Sequence, residues 1–308
     1  MKLRFLGTSA GECYPALWCD CPNCRYAREH GGRNLRRYSC AVLDDDVMID
    51  LSTHAFMTAM EMGIDMMKRT TLLVTHNHSD HFDPHSLICR IKPVKNGVFY
   101  DTPREYDAER MEGLIGPRLS WVPMLDIYAH SSVYETLHKS NVHLGGYDPN
   151  GQNKDGDLFA IRFHALSRGE TVYKEAEDLR VTAVTSHHAV PGSCYSYVIQ
   201  RGGKTLLYAC DTGGYDEDML ALLRSFQYDC VVVEGTFGLL KDEDKGHMNL
   251  NKNIRMLEDF SEHRLWKGEP RMILTHIAPH GTPPYDLYRG IVEEHGMILA
   301  YDGMTVEI

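Results

Sequence analysis

Residues Thr75-His76-Asn77-His78-Ser79-Asp80-His81 place four metal-binding side chains, His76, His78, Asp80 and His81, within six positions. The apolar run Leu72-Leu73-Val74 comes directly before them, so the cluster stands where a buried strand ends and a loop begins. Three imidazoles with a carboxylate among them form the mixed nitrogen and oxygen set that Zn²⁺, Mn²⁺ or Fe²⁺ accepts. One strand end cannot wrap all four around a single ion. Alternation along an extended segment aims His76 and His78 to one side, and Asp80 and His81, in the turn that follows, can reach a second ion beside the first. A solvated, histidine-rich turn is the bland alternative, and this density of histidine behind a buried strand argues against it.

A second cluster is made of thiols. Cys19-Asp20-Cys21-Pro22-Asn23-Cys24 is a Cys-x-Cys-x-x-Cys array whose three thiolates can converge on one tetrahedral Zn²⁺. Asp20, Pro22 and Asn23 make it a polar loop, and thiols in such a loop need a reason other than packing. The nine cysteines are odd in number and unevenly spaced, which does not read as a disulfide framework.

The elements that position these residues share one pattern. Strands are expected at Lys2–Leu6, at Cys40–Leu43 with Val47–Ile49 as a hairpin, and at Arg69–Val74, 122–128, 159–166, Leu179–Thr185, Thr205–Ala209, Cys230–Val233 and 272–274. Several end in a residue that could ligate or orient a ligand: Asp50, His76, His187-His188, Asp211, Glu234 and His276. Repetition of an apolar run followed by a ligand-type residue gathers side chains distant in sequence on one rim of a sandwich. Gly7 to Gly11 reads as a tight turn beside that rim. Thr53 is expected to cap a helix to about Lys68, with Phe56, Met60, Ile64 and Met67 as a core stripe. Ser131 is expected to start another helix, and Gly145–Asp157 reads as a loop. Arg33, Arg36 and Arg37 read as a solvated basic face. The region around 83–122 lacks a clean period at Lys95–Ser120 and reads as an insertion that covers or shapes the site. No repeat or linker divides the chain, so one domain over 1–308 is expected.

Composition narrows the function classes. The chain has 308 residues, 43% hydrophobic and 24% charged, as in soluble globular proteins. No apolar stretch approaches the roughly 20 residues that span a bilayer, and the N-terminus shows no signal-peptide pattern, so a cytoplasmic location with no membrane partner is expected. A formal net charge of −11 would repel a phosphate backbone, which disfavours nucleic acid and a transfer-RNA-processing nuclease.

His76-x-His78-x-Asp80-His81 after a strand resembles the signature of the metallo-β-lactamase fold. That resemblance implies an α/β protein, a four-layer αββα sandwich of two mixed sheets. It further implies a binuclear metal-dependent hydrolase, with His188 as the third ligand of the first ion, Asp211 bridging both ions, and His276 joining Asp80 and His81 at the second. His188 is preferred over His187 because His-x-Val-Pro is the superfamily's pattern. His187 is then expected beside the ligands or in the core. Cys19-x-Cys21-x-x-Cys24, Arg36-Arg37, Ile49-Asp50 with His54, His247 before Leu250-Asn251, Leu274-Thr275-His276 and Asp302-Gly303-Met304 together resemble the phosphoribosyl 1,2-cyclic phosphate phosphodiesterases of phosphonate degradation. By that closer resemblance the three cysteines hold a structural Zn²⁺ completed by His280, which lies four residues past His276 where three are expected. The active site takes two Zn²⁺ or Mn²⁺ ions, and the substrate is a small cyclic phosphate or phosphodiester. Attack comes from a water acidified between the ions at Asp80 and its partners, with His247 as general acid. A hydrolase of a carboxylic ester or lactone on the same metals is the alternative, as is a non-hydrolytic role like that of the pyrroloquinoline-quinone biosynthesis proteins. Asp50 and Glu234 are expected to orient ligand histidines. Whether the chain forms a homodimer stays open.

Overall fold

Among the described residues, short runs of β-branched and aromatic residues build two seven-stranded sheets. The computed structural model describes residues 1–90, 123–139, 160–188, 190–241 and 246–308. The first sheet contains β1 (Lys2–Gly7), β2 (Cys40–Leu43), β3 (Val47–Ile49), β4 (Thr71–Leu73), β5 (Leu125–Ala129), β6 (Ile161–Ala165) and β14 (Thr305–Glu307), in the order β14-β1-β2-β3-β4-β5-β6. The second contains β7 (Thr171–Lys174), β8 (Leu179–Thr185), β9 (Tyr195–Arg201), β10 (Lys204–Ala209), β11 (Cys230–Glu234), β12 (Met272–Thr275) and β13 (Ile298–Leu299), in the order β13-β12-β11-β10-β9-β8-β7. Both are mixed. In the first sheet the pairs among β14, β1, β2 and β3 are antiparallel and those among β3, β4, β5 and β6 parallel. The second repeats the scheme, antiparallel from β7 to β10 and parallel from β10 to β13.

Alternation along the strands divides the apolar residues into three cores. Leu3, Phe5, Ile49 and Leu73 meet Val181, Tyr197, Tyr208 and Val232 between the sheets. Outside the first sheet, Met48, Leu72 and Ile127 pack with Ala55 and Ala59 of α2 (Ala55–Glu61) and Val133 and Leu137 of α3 (Ser131–Lys139). Outside the second, Leu207, Val231 and Leu274 pack with α4 (Glu217–Leu223), α5 (Leu250–Glu262) and α6 (Tyr285–Glu294) through Leu223, Phe260 and Val292. The result is the expected four-layer αββα sandwich. Each fully buried large apolar side chain contributes about 1.5–3 kcal/mol, so packing between layers, not the short strands themselves, fixes the rim on which the site stands. Among the described residues no helix is long and apolar enough to cross a membrane.

Several local expectations are corrected. The helix after Thr53 stops at Glu61, Gly63 turns the chain at φ +64°, and a separate 3-10 turn covers Met66–Lys68. His54, not Thr53, occupies the N-cap position, without a side-chain cap. Because the helix ends early, its period does not extend to Ile64 and Met67, and its buried face is Ala55, Thr58 and Ala59. Phe56, Met60 and Met67 are exposed, Met60 by 67%, and line an apolar cavity of about 470 Å³, whereas Ile64, also on its wall, packs against the core as expected. Pro22 starts α1 (Pro22–His30), so Cys24 is helical while Cys19 and Cys21 precede the helix, which fits proline's preference for a first helical position. Arg36 is not solvated: it is 4% exposed, with Nη1 donating to Thr8 Oγ1 at 2.9 Å and to the Ala300 carbonyl at 2.7 Å. Of the expected insertion, Pro84–Arg90 forms a 3-10 helix. Residues 91–122 and the loop expected at Gly145–Asp157 lie outside the described residues.

Candidate metal centre

The carboxyl ends of β3, β4, β8, β10, β11 and β12 carry the site. Asp50, directly after β3, is fully buried and accepts hydrogen bonds from the Thr75 amide at 2.8 Å and the Thr75 hydroxyl at 3.0 Å. Its other oxygen lies 2.7 Å from His81 Nδ1. A carboxylate only accepts, so Nδ1 keeps a hydrogen and Nε2 faces the rim. The His78 carbonyl accepts from the amides of His81 and Phe82 at 3.0 and 2.8 Å, a single turn that brings His81 back to the strand end. The Gly7–Gly11 turn lies beside this rim as expected: a Cβ on Gly11 would stand 3.3 Å from Asp80 Oδ2.

Two donor groups share Asp211. His76, His78, His188 and Asp211 bring one ligand atom each to within 4.8 Å of one another. His76 Nε2 is 3.2 Å and His188 Nε2 3.4 Å from Asp211 Oδ2, and His78 Nδ1 is 3.4 Å from His188 Nε2. The second group contains His81, Asp211 and His276 under the same limit, with the core thiol of Cys210 beside them. His81 Nε2 stands 3.1 Å from His276 Nε2, 3.2 Å from Asp211 Oδ2 and 3.3 Å from Asp80 Oδ2, and Asp80 Oδ2 is 3.5 Å from His276 Nε2. Asp211 Oδ1 lies 2.9 Å from His276 Nδ1 without hydrogen-bond geometry, while that nitrogen also lies 2.9 Å from Thr236 Oγ1. Buried His76 Nε2 has no hydrogen-bond partner at all. Unpartnered nitrogen lone pairs and carboxylate oxygens converging at such distances are the donor set of a divalent cation, and the residues present fit one.

Electrostatics agrees with that reading. Burial opposes charge on both Asp80 and Asp211, yet the His81 and His276 imidazoles hold both carboxyls far below the usual range. Burial likewise opposes charge on His81 and His276, but Asp80, Asp50 and Asp211 raise His81 well above an ordinary imidazole, and Asp211 raises His276 to about 9. His76 and His78 are lowered, chiefly by burial. The carboxylates thus favour protons on His81 and His276, the protons that a cation bound there would displace.

His188 and His247 close the far side. His188 Nδ1 is 3.0 Å from the Gly246 carbonyl, which fixes its hydrogen on Nδ1 and turns Nε2 to the donor group. Its neighbour His187 is elsewhere: it is half exposed, with Nε2 2.6 Å from Asp216, while its backbone pairs with Gly213 and Gly214 and ties the His188 loop to the Asp211 loop. His247 Nδ1 is 2.9 Å from Glu234 Oε1 and 3.7 Å from Asp211 Oδ1. Glu234 therefore orients His247, not a member of either donor group. It is fully buried and also accepts from the amides of Thr212 and Thr236, each at 3.0 Å. Burial alone would lower His247, and the Glu234 hydrogen bond and charge raise it above an ordinary imidazole. Thr236 was not singled out from sequence, and Thr75 and Gly246 only as neighbours of His76 and His247.

Cys19, Cys21 and Cys24 bring their sulfurs to within 4.8 Å of one another. Burial pushes the Cys24 thiol up to about 12, whereas Cys21 is lowered: burial opposes it, but the Cys24 amide and the Cys19 thiol outweigh that. His280 is not brought to them. Its Nε2 lies 2.9 Å from Glu12 and the ring is half exposed. The chain approaches α1 one residue earlier, where the Pro279 carbonyl accepts from Asn23 Nδ2 at 2.8 Å.

Comparison with known proteins agrees with this architecture. The chain is 25% identical to coenzyme PQQ synthesis protein B of Methylobacillus flagellatus, across 99% of either sequence. Among solved structures it is similar to zinc-bound PqqB from Methylobacterium extorquens, with a TM-score of 0.71, 19% identity and full coverage of both chains. A diphosphatase of the PhnP family gives a TM-score of 0.66 at 18% identity, covering 100% of this chain and 96% of that one. The family model described as the beta-lactamase superfamily domain matches residues 107–277, more than half of the sequence. The chain therefore belongs to the beta-lactamase superfamily.

Proposed function

We propose that the protein is a hydrolase of a small cyclic phosphate or phosphodiester working with two divalent cations, Zn²⁺ or Mn²⁺. The observation that carries this reading is the pair of donor groups sharing Asp211, with the Glu234-oriented His247 beside them. His76, His78 and His188 would hold one cation, Asp80, His81 and His276 the other, and Asp211 both. When bound, such a pair acidifies water at neutral pH and neutralises charge developing on a phosphoryl oxygen. The chain's own groups do the rest. Asp50 fixes the His81 ring through Nδ1, and Gly246 fixes His188. His247, with its raised pKa and with Nδ1 committed to Glu234, would hold a second proton on Nε2 and deliver that one to the leaving alkoxide. A third Zn²⁺ bound by Cys19, Cys21 and Cys24 would have a structural role.

The test is hydrolysis of a ribosyl cyclic phosphate, cyclic nucleotides, bis(p-nitrophenyl) phosphate and a lactone, with each metal. His247→Ala should keep its metal yet lose roughly 10²- to 10⁴-fold in turnover on a diester with an alkoxide leaving group, and far less with p-nitrophenolate, which needs little protonation. Equal losses on both, or loss of metal, would remove His247 from the acid's role. The 25% identity to the PQQ synthesis protein favours a second reading, a step in forming that quinone cofactor. Full metal content with no turnover of any ester in the panel would favour it.

A further inference from the structure

The buried network around Arg36 does more than fill the core. Asp302 follows β13 on the turn that crosses from the second sheet to the first, where the Gly303 amide donates to the Phe5 carbonyl and the Phe5 amide to the Met304 carbonyl. One Asp302 oxygen accepts from the Thr8 hydroxyl at 2.7 Å, the other from the Arg37 amide at 2.7 Å. Arg36 can only donate, and its Nη1 lies 2.9 Å from the same Thr8 hydroxyl. The single Thr8 proton must therefore point to Asp302, which gives the array Arg36, Thr8, Asp302 one polarity.

Thr8 is also the first residue of the turn that touches the metal centre. Its carbonyl accepts from the Ile277 amide at 2.9 Å, and the Ile277 carbonyl accepts from the Ser9 hydroxyl at 3.1 Å and the Ala10 amide at 3.2 Å. Three hydrogen bonds thus hold the residue directly after His276, whose backbone sits at φ +56°. The turn ends at Gly11, against Asp80. Residues 8–10 consequently brace His276 through Ile277, and Gly11, with no side chain, leaves room for Asp80 beside His81 and His276.

We propose that Asp302, acting through the Thr8 hydroxyl, is a positioning residue for the cation held by Asp80, His81 and His276. This rests on the two-cation reading. Thr8→Val removes the hydroxyl at nearly constant shape, and Thr8→Ser restores it. Metal-stripped protein is titrated with Zn²⁺ against a chromophoric chelator, well below the melting temperature of each variant. Thr8→Val should weaken one Zn²⁺ position about 10- to 100-fold, the same position that Asp80→Ala weakens, with the remaining positions unchanged and Thr8→Ser equal to wild type. Asp302→Asn, the second variant, should weaken that same position, because its amide cannot accept from both Thr8 and Arg37. Wild-type affinity at every position in Thr8→Val, or a uniform loss at all positions, overturns the clamp. Fewer than two positions sensitive to the rim histidines in wild type overturns the two-cation reading itself.

Discussion

Replacing Glu234 by Gln isolates the link between the buried carboxylate and His247. Glu234 accepts three hydrogen bonds: from Thr212 N and His247 Nδ1 on Oε1 and from Thr236 N on Oε2. Glutamine offers one oxygen. Facing it to Thr212 and His247 keeps two bonds and sets an NH₂ group against the Thr236 amide, leaving buried donors unsatisfied at a cost of about 1–3 kcal/mol in stability. The functional effect is separate. A hydrogen bond to a charged group is worth about 1.5–3 kcal/mol and one between neutral groups about 1 kcal/mol, so the protonated form of His247 loses roughly 0.5–2 kcal/mol. Since 1.36 kcal/mol is a factor of ten, the His247 acid dissociation constant should rise by about that factor, and turnover of an alkoxide ester on the alkaline side of the profile should fall by up to about tenfold. The sign on the pH axis follows from the shift. Glu234 raises the His247 pKa, so the acid form persists to higher pH than in a free imidazole, and losing the charge moves the alkaline limb of the kcat profile to lower pH. The assay compares kcat against pH for wild type and Glu234→Gln carrying equal metal, so the effect of the cations on His247 cancels. An unmoved alkaline limb, at matched metal content, would refute the assignment of His247 as the acid that Glu234 tunes.

Two further outcomes test the frame around the site. Cys21→Ser should bind one Zn²⁺ fewer and melt at a lower temperature while its folded fraction keeps activity, as read by metal analysis, thermal denaturation and turnover; full metal content and stability would remove the thiol site. Gly7→Ala should be strongly destabilised, because the added Cβ would stand 1.9 Å from the Tyr38 carbonyl oxygen and 2.8 Å from that of Arg37, and neither backbone group can yield as a flexible side chain would. An overpacking cost of about 1–3 kcal/mol or more should appear as a reduced urea midpoint.

Much of the first sheet could be read because its strands are short apolar runs bounded by polar turns, as at Cys40–Leu43 and Val47–Ile49, where expectation and structure coincide. β8 was placed to the residue for the same reason. By contrast β7, Thr171–Lys174, lies exposed at a sheet edge with little apolar signal, and α1 is too polar to show a helical period. Met60 misled because helical spacing reports a periodic face without saying whether anything covers it. Arg36 misled for the opposite reason. A basic cluster is ordinarily solvated, and only the fold brings Thr8 and Ala300, from both ends of the chain, to receive it. The candidate donors each follow an apolar run, but it is the resemblance to the superfamily that prefers His188 over His187 and gives Asp211 and His276 their expected places.

What composition could not show is how those strand ends turn their side chains inward. Asp50, Asp211 and His276 all adopt left-handed backbone conformations, at φ +61°, +53° and +56°. For a residue other than glycine that conformation costs roughly 1–2 kcal/mol. Each lies one or two residues past the end of a strand, β3, β10 or β12, and each is gripped from a neighbouring segment. The Asp50 amide donates to the Leu73 carbonyl, the Asp211 carbonyl accepts from the Ser186 hydroxyl and the Cys194 thiol, and the His276 carbonyl accepts from the Thr236 hydroxyl. Strain persists where surrounding contacts over-determine it, and here the same left-handed step recurs at an orienting carboxylate, the carboxylate shared by both donor groups and a ligand-type histidine. A strand continuing straight would send these side chains alternately into the core and out to the helices. Reversing the backbone hand at the strand end takes them out of that alternation and lays them along the rim, where side chains that follow β4, β8, β10 and β12 gather into the two groups that share Asp211.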